Sequence, residues 1–103
     1  MNSRINNFFS KHYYEWSYIE SFADSKLYKK FLNWISGEFD LFLQEEKNGL
    51  QIFFPNGFFY IKKQITSSKA ITVEISIKSK SSTIGNNIFN QIISISNHLN
   101  EVY

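Results

Sequence analysis

The chain has no cysteine, one proline, four glycines and a single arginine among its 103 residues. Without cysteine there can be no disulfide scaffold, no thiolate metal site and no cysteine nucleophile. Four glycines leave no room for a phosphate-cradling loop, and no GxSxG or HExxH occurs. Each glycine sits where a turn or a helix cap would use it. A formal net charge of +2 is too small to draw in nucleic acid or a membrane by electrostatics alone. No apolar run approaches the ~18 residues of a membrane span. Met1-Asn2-Ser3-Arg4 leads into no signal-type apolar core. The expectation is a cytoplasmic protein with no membrane partner.

What is present points to a packed domain. Hydrophobic residues are 43% and charged residues 19%, enough apolar surface to offset the entropy of ordering. Aromatics reach 18%, carried by 11 Phe, 6 Tyr and 2 Trp. The length fits a single domain over residues 1–103.

Hydrophobic spacing predicts the elements. Ile5, Phe8, Phe9, His12, Tyr13, Trp16 and Ile19 recur at threes and fours, which predicts a helix over 4–19, although Tyr13, Tyr14, Trp16 and Tyr18 also suit a strand. A second helix is expected over 26–36, capped by Ser25 and ended by Gly37. From Glu38 the period drops to two, predicting strands over 38–46, 50–55, 58–66 and 70–79. A last helix is expected over 84–101, with the stripe Ile84, Ile88, Ile92, Ile95, Leu99 and Val102. The fold class is therefore α+β: a four-stranded antiparallel meander packed against helices, in the order α-α-β-β-β-β-α.

The turns imply a register. Asn48-Gly49 and Asn56-Gly57 each suit a two-residue type I′ turn. The first pairs Leu43 with Phe54 and Gln44 with Phe53; the second pairs Phe54 with Phe59 and Ile52 with Ile61. A three-residue loop at Ser67-Ser68-Lys69 pairs Ile61 with Ile75, Phe59 with Ile77 and Lys62 with Glu74. One face then collects Phe39, Leu41, Leu43, Ile52, Phe54, Phe59, Ile61, Ile65, Ile71, Val73, Ile75 and Ile77 as the core. The other carries Phe42, Phe53, Phe58 and Tyr60 beside Gln51, Lys62 and Glu74. Four aromatics of ~150–250 Å² each are costly to leave in water.

No residue set nominates an active site. His12 and His98 fall on different helices, and a lone helical histidine is ordinarily a surface residue. The carboxylates Glu15, Glu20, Asp24, Glu38, Asp40, Glu45 and Glu46 crowd the first half: residues 1–50 hold 6 basic and 7 acidic groups, net −1, and residues 51–103 hold 5 and 2, net +3. The sequence implies no catalytic residue, no cofactor and no metal. The aromatic face has three readings: cover by the N-terminal helix, a protein-binding surface, or a base-stacking sheet for RNA or single-stranded nucleic acid. An RNP-type signature is missing and arginine occurs only at Arg4.

In size, in its Asn48-Gly49 and Asn56-Gly57 meander and in its lack of a catalytic constellation, the chain resembles the small immunity proteins of bacterial toxin–immunity pairs, including contact-dependent inhibition systems. The resemblance extends over the whole chain and involves no diagnostic motif. It implies a non-enzymatic inhibitor, or antitoxin, that binds a cognate toxin domain. Contacts would come from Glu15, Glu20, Asp24, Glu38, Asp40, Glu45 and Glu46, with Phe42, Phe53, Phe58 and Tyr60 as anchors. Only the first half is acidic, which leaves the toxin's activity open.

Overall fold

Alternation governs the first strand of the chain's described residues. Tyr14, Trp16, Tyr18, Glu20 and Phe22 point to one side while Glu15, Ser17, Ile19 and Ser21 point to the other, making a strand, β1, over Tyr14–Phe22. The structure, a computed structural model, describes residues 13–64 and 69–103. The helix expected over 4–19 is thus corrected from residue 14 onward, and its residues 4–12, with His12, lie outside the described residues. Aromatic and β-branched residues favour a pleated surface, and pairing with the last strand decides the matter.

The helix α1 follows at Ser25–Glu38. Its cap is Asp24, whose Oδ1 accepts from the Leu27 N–H at 3.0 Å, one residue before the expected Ser25. Gly37 does not end it; the helix runs on to Glu38, and the Phe39 N–H donates to the Ile35 carbonyl at 3.1 Å. Then come β2 (Leu43–Glu45), β3 (Gly49–Phe54), β4 (Gly57–Lys63) and β5 (Ile71–Ser79). The closing helix α2 spans Ser82–Val102, with the Ser81 hydroxyl accepting from the Ile84 N–H at 3.2 Å.

The sheet has five strands, all antiparallel, in the order β1-β5-β4-β3-β2. Among the described residues the architecture is α+β, with one strand more and one helix fewer than expected. Both helices pack on one face of the sheet. Leu27, Tyr28, Phe31 and Ile35 of α1 and Ile88, Ile92 and Leu99 of α2 join Phe22, Leu50, Ile52, Phe54, Phe59, Ile61, Val73, Ile75 and Ile77 in one buried cluster. Each fully buried side chain of this kind contributes ~1.5–3 kcal/mol. The stripe on α2 is narrower than its sequence suggests, with Ile84 40% and Val102 56% exposed.

Register is as expected between β4 and β5, where Ile61 pairs with Ile75, Phe59 with Ile77 and Lys62 with Glu74. Ile65 and the loop residues Ser67 and Ser68 lie outside the described residues. Between β3 and β4 the pairing is shifted by two: Phe54 opposes Gly57 and Ile52 opposes Phe59. The turn is Pro55-Asn56, not Asn56-Gly57. Proline cannot donate to the ladder and its φ is locked negative, so it takes the first central position, while Asn56 with φ 67° takes the second. A shift of two keeps every side chain on its expected face.

Between β2 and β3 the shift is one, and one residue reverses the faces. Leu43 pairs with Phe53, Gln44 with Ile52 and Glu45 with Gln51. Gln44 turns inward because α1 ends beside it with carbonyls that can accept its amide. Its Nε2 donates to Ser36 O and Phe39 O, each at 2.9 Å, and its Oε1 accepts from Ser36 Oγ at 2.6 Å. Gly49 accommodates the offset at φ 137°, where a side chain would strike the Ile61 carbonyl. Two expected core residues, Leu41 and Leu43, are consequently 91% and 68% exposed.

Candidate functional site

The register assembles the face of the sheet opposite α1 and α2 in rows. One row crosses all five strands as Leu43, Phe53, Phe58, Lys78 and Glu15. The next runs Glu45, Gln51, Tyr60, Ser76 and Ser17. Phe53 and Phe58 are cross-strand neighbours with ring centroids 6.1 Å apart. The Lys62 ammonium sits 5.2 Å from the centroid of the Tyr60 ring, and Lys62 faces Glu74 across the strands. Phe53, Phe58 and Tyr60 are half-buried.

Phe42 does not belong to this face. It packs against the core, its ring stacked 6.3 Å from Phe39, and the exposed leucine Leu43 occupies the outer position expected of it. The apolar patch is therefore Leu43, Phe53, Phe58 and Tyr60, with Leu41 projecting from the turn before β2. Sequence alternation missed both leucines because it had placed them in the core. The signal that could have recovered them is Gln44, whose amide matches the carbonyls of a helix end.

The acidic residues expected to make contacts separate into four groups. Asp40, Glu45 and Glu46 are exposed on and beside β2, together with Glu38 at the end of α1, where Gln91 Nε2 donates to its Oε2 at 3.4 Å. Glu15 lies at the opposite edge of the sheet, across from Lys78. Asp24 is committed to its helix cap. Glu20 points to the helix side and is engaged by four donors: Ser96 Oγ at 2.7 Å, the Tyr18 hydroxyl at 3.1 Å, the Ser21 N–H at 3.1 Å and Asn100 Nδ2 at 3.2 Å. That carboxylate joins β1 to α2 and is occupied. Burial first, then the charge and hydrogen bond of Glu20, push the Tyr18 hydroxyl above its ordinary pKa.

Elsewhere the surface offers less. A groove of about 630 Å³ runs between α1 and the β2–β3 turn, but its charged walls, Lys29, Lys63 and Glu46, are exposed and of mixed sign. His98 lies on the helix side, stacked on Trp34 with centroids 5.2 Å apart and planes 16° off parallel. Among the described residues no cluster of three histidines or carboxylates converges on a metal position, and no helix is long and apolar enough to cross a membrane. No family model matches the chain, and no curated protein matches it significantly.

Proposed function

We propose that this chain is a non-enzymatic protein-binding inhibitor that docks through the outer sheet face at the β2 end. One observation carries the reading: Leu43, Phe53 and Phe58 form an unbroken apolar row across three strands, with Tyr60 and Glu45 beside it and Asp40 and Glu46 exposed near its β2 end. An apolar centre with a charged margin is how interfaces divide affinity from steering. The acidic margin suits a partner with a basic rim. The finer proposal is an immunity protein that binds a cognate bacterial toxin domain and blocks it by occupancy.

The test is co-purification with the product of the adjacent open reading frame, and rescue of cells expressing that product. A salt-tolerant 1:1 complex supports the proposal. Phe53→Ser together with Phe58→Ser should weaken it by two or more powers of ten, since central anchors carry ~2 kcal/mol or more each. Equal affinity after both replacements would move the interface elsewhere. Lys62 and Lys78 share the aromatic face, which supports base stacking as a second reading. Steeply salt-dependent RNA binding, abolished by the same replacements, would favour it.

A further inference from the structure

The far edge of the sheet carries a different feature. Along an antiparallel strand each residue's N–H and C=O point to one side, and the side alternates. Ser21 identifies the outward set on β1. Its N–H donates to Glu20 Oε2 at 3.1 Å and its carbonyl accepts from Asn100 Nδ2 at 3.5 Å, so neither is turned toward β5. Thr72, its partner on β5, agrees: the Thr72 carbonyl accepts from the Gln64 N–H of the strand on the other side at 2.8 Å. Counting back by twos, the main-chain groups of Ile19, Ser17 and Glu15 face away from the sheet. Among the described residues nothing bonds to them.

Edges of this kind are ordinarily blunted by lysine, proline, a bulge or shortness. β1 carries charge at Glu15 and at Glu20, the latter taken up by its four donors, but Tyr14–Phe22 contains no Lys, Pro or Gly and its nine pairs with β5 run without interruption. Only the Ser21 end is closed, by Glu20 and Asn100.

We propose that this edge pairs with a second copy of the chain, antiparallel, about a two-fold axis at Ser17. That register sets Glu15 opposite Ile19 of the second copy and Ser17 opposite its counterpart. All three outward residues then exchange both main-chain bonds, two groups on each of three residues from each copy. The intervening pair brings Trp16 opposite Tyr18 of the second copy on the helix side, at the closer cross-strand spacing where aromatic pairs interact well. No like charges face each other. A shift of two residues toward Phe22 sets Glu15 against Ser21, whose groups are already taken. The open stretch is thus complementary to itself in this register, and the helices of both copies stay on the same side of a continuous ten-stranded sheet.

Sedimentation velocity and light scattering from micromolar to about millimolar chain test this. The expected result is a mass rising from 12.2 kDa toward twice that value. Ser17→Lys and Ser17→Glu each place like charges opposite one another and should raise the dimer dissociation constant about tenfold or more, with unchanged circular dichroism and melting because the site is exposed. An equimolar mixture of the two variants should restore the dimer. A wild-type chain that stays monomeric throughout, a dimer unaffected by either replacement, or a mixture that remains monomeric would each overturn the proposal.

Discussion

Replacing Gly85 by alanine sets two effects of opposite sign against each other. In an exposed helix interior the change gains about 1 kcal/mol, because glycine loses more backbone freedom on folding. Gly85 is buried, and its N–H donates to the Ser81 carbonyl at 3.0 Å in the first turn of α2. A methyl group here would overlap the Cη2 and Cζ3 atoms of Trp16 and stand 3.1 Å from Ser79 Cβ. The indole would have to move off the core, and overpacking of this kind costs ~1–3 kcal/mol. The net expectation is a loss of about 1 kcal/mol, or roughly 4–8 °C in Tm for a chain of this size. Trp16→Leu removes the obstruction at its own cost, and in that background Gly85→Ala should stabilise by about 1 kcal/mol. The coupling, about 2 kcal/mol, is read from urea denaturation of the four proteins followed by circular dichroism. If Gly85→Ala has the same sign in both backgrounds, Trp16 does not lie under α2 and the placement of β1 is wrong.

Glu20→Ala should cost about 1–3 kcal/mol by stranding the fully buried Ser96 hydroxyl, and Glu20→Gln should cost less because one acceptor remains; urea titrations of the two variants distinguish them. Gln44→Leu removes all three bonds to the end of α1 and should destabilise by about 1–3 kcal/mol, with exchange protection lost first in β2. Burial pushes the Tyr28 hydroxyl above its ordinary value of 10.0. The unfolded chain therefore releases this proton first, and stability contributed by Tyr28 is intact below pH 10 and falls as pH rises from there to the folded-state value. Tyr28→Phe should flatten that decline relative to wild type in unfolding titrations at alkaline pH. Leu43→Ser should leave the melting temperature within a degree or two, whereas Ile92→Asp, an unpaired charge at a fully buried position, should unfold the domain.

Much of the fold was legible because period and turn chemistry are local. The spacing of Leu27, Tyr28, Phe31 and Ile35 announces α1, and that of Ile88, Ile92 and Leu99 announces α2, because each stripe needs only one apolar surface opposite it. The β4–β5 register followed from the loop length read at Ser67-Ser68-Lys69 together with alternation. β1 was the exception. Tyr13, Trp16 and Ile19 fit a helical period while Tyr14, Trp16 and Tyr18 fit a strand, and nothing local separates the two. The decision comes from β5, more than fifty residues away, whose free edge accepts nine consecutive pairs. Propensity is a weak prior against a ladder of that length.

The site was legible in its residues but not in its grouping, and one slip accounts for most of the difference. Asn48-Gly49 supports a tight turn, and a tight turn would have buried Leu43. The side chain that overrides it is Gln44, because three hydrogen bonds to the end of α1 outweigh burying one leucine on a strand of three residues. The same offset moves Phe42 inward and brings Leu43 beside Phe53, turning scattered aromatics into a continuous row at the acidic edge. Charge could not have indicated this. Seven carboxylates in the first half look alike in sequence, yet Asp24 and Glu20 are committed to a cap and to a helix–strand tie, Glu15 ends the row at the far edge, Glu38 closes α1, and Asp40, Glu45 and Glu46 lie on and beside β2, exposed to solvent. In the proposed complex, steering toward a basic partner would rest on those three. Neutralising them should slow association and remove its salt dependence, while leaving dissociation, which is governed by Phe53 and Phe58, nearly unchanged.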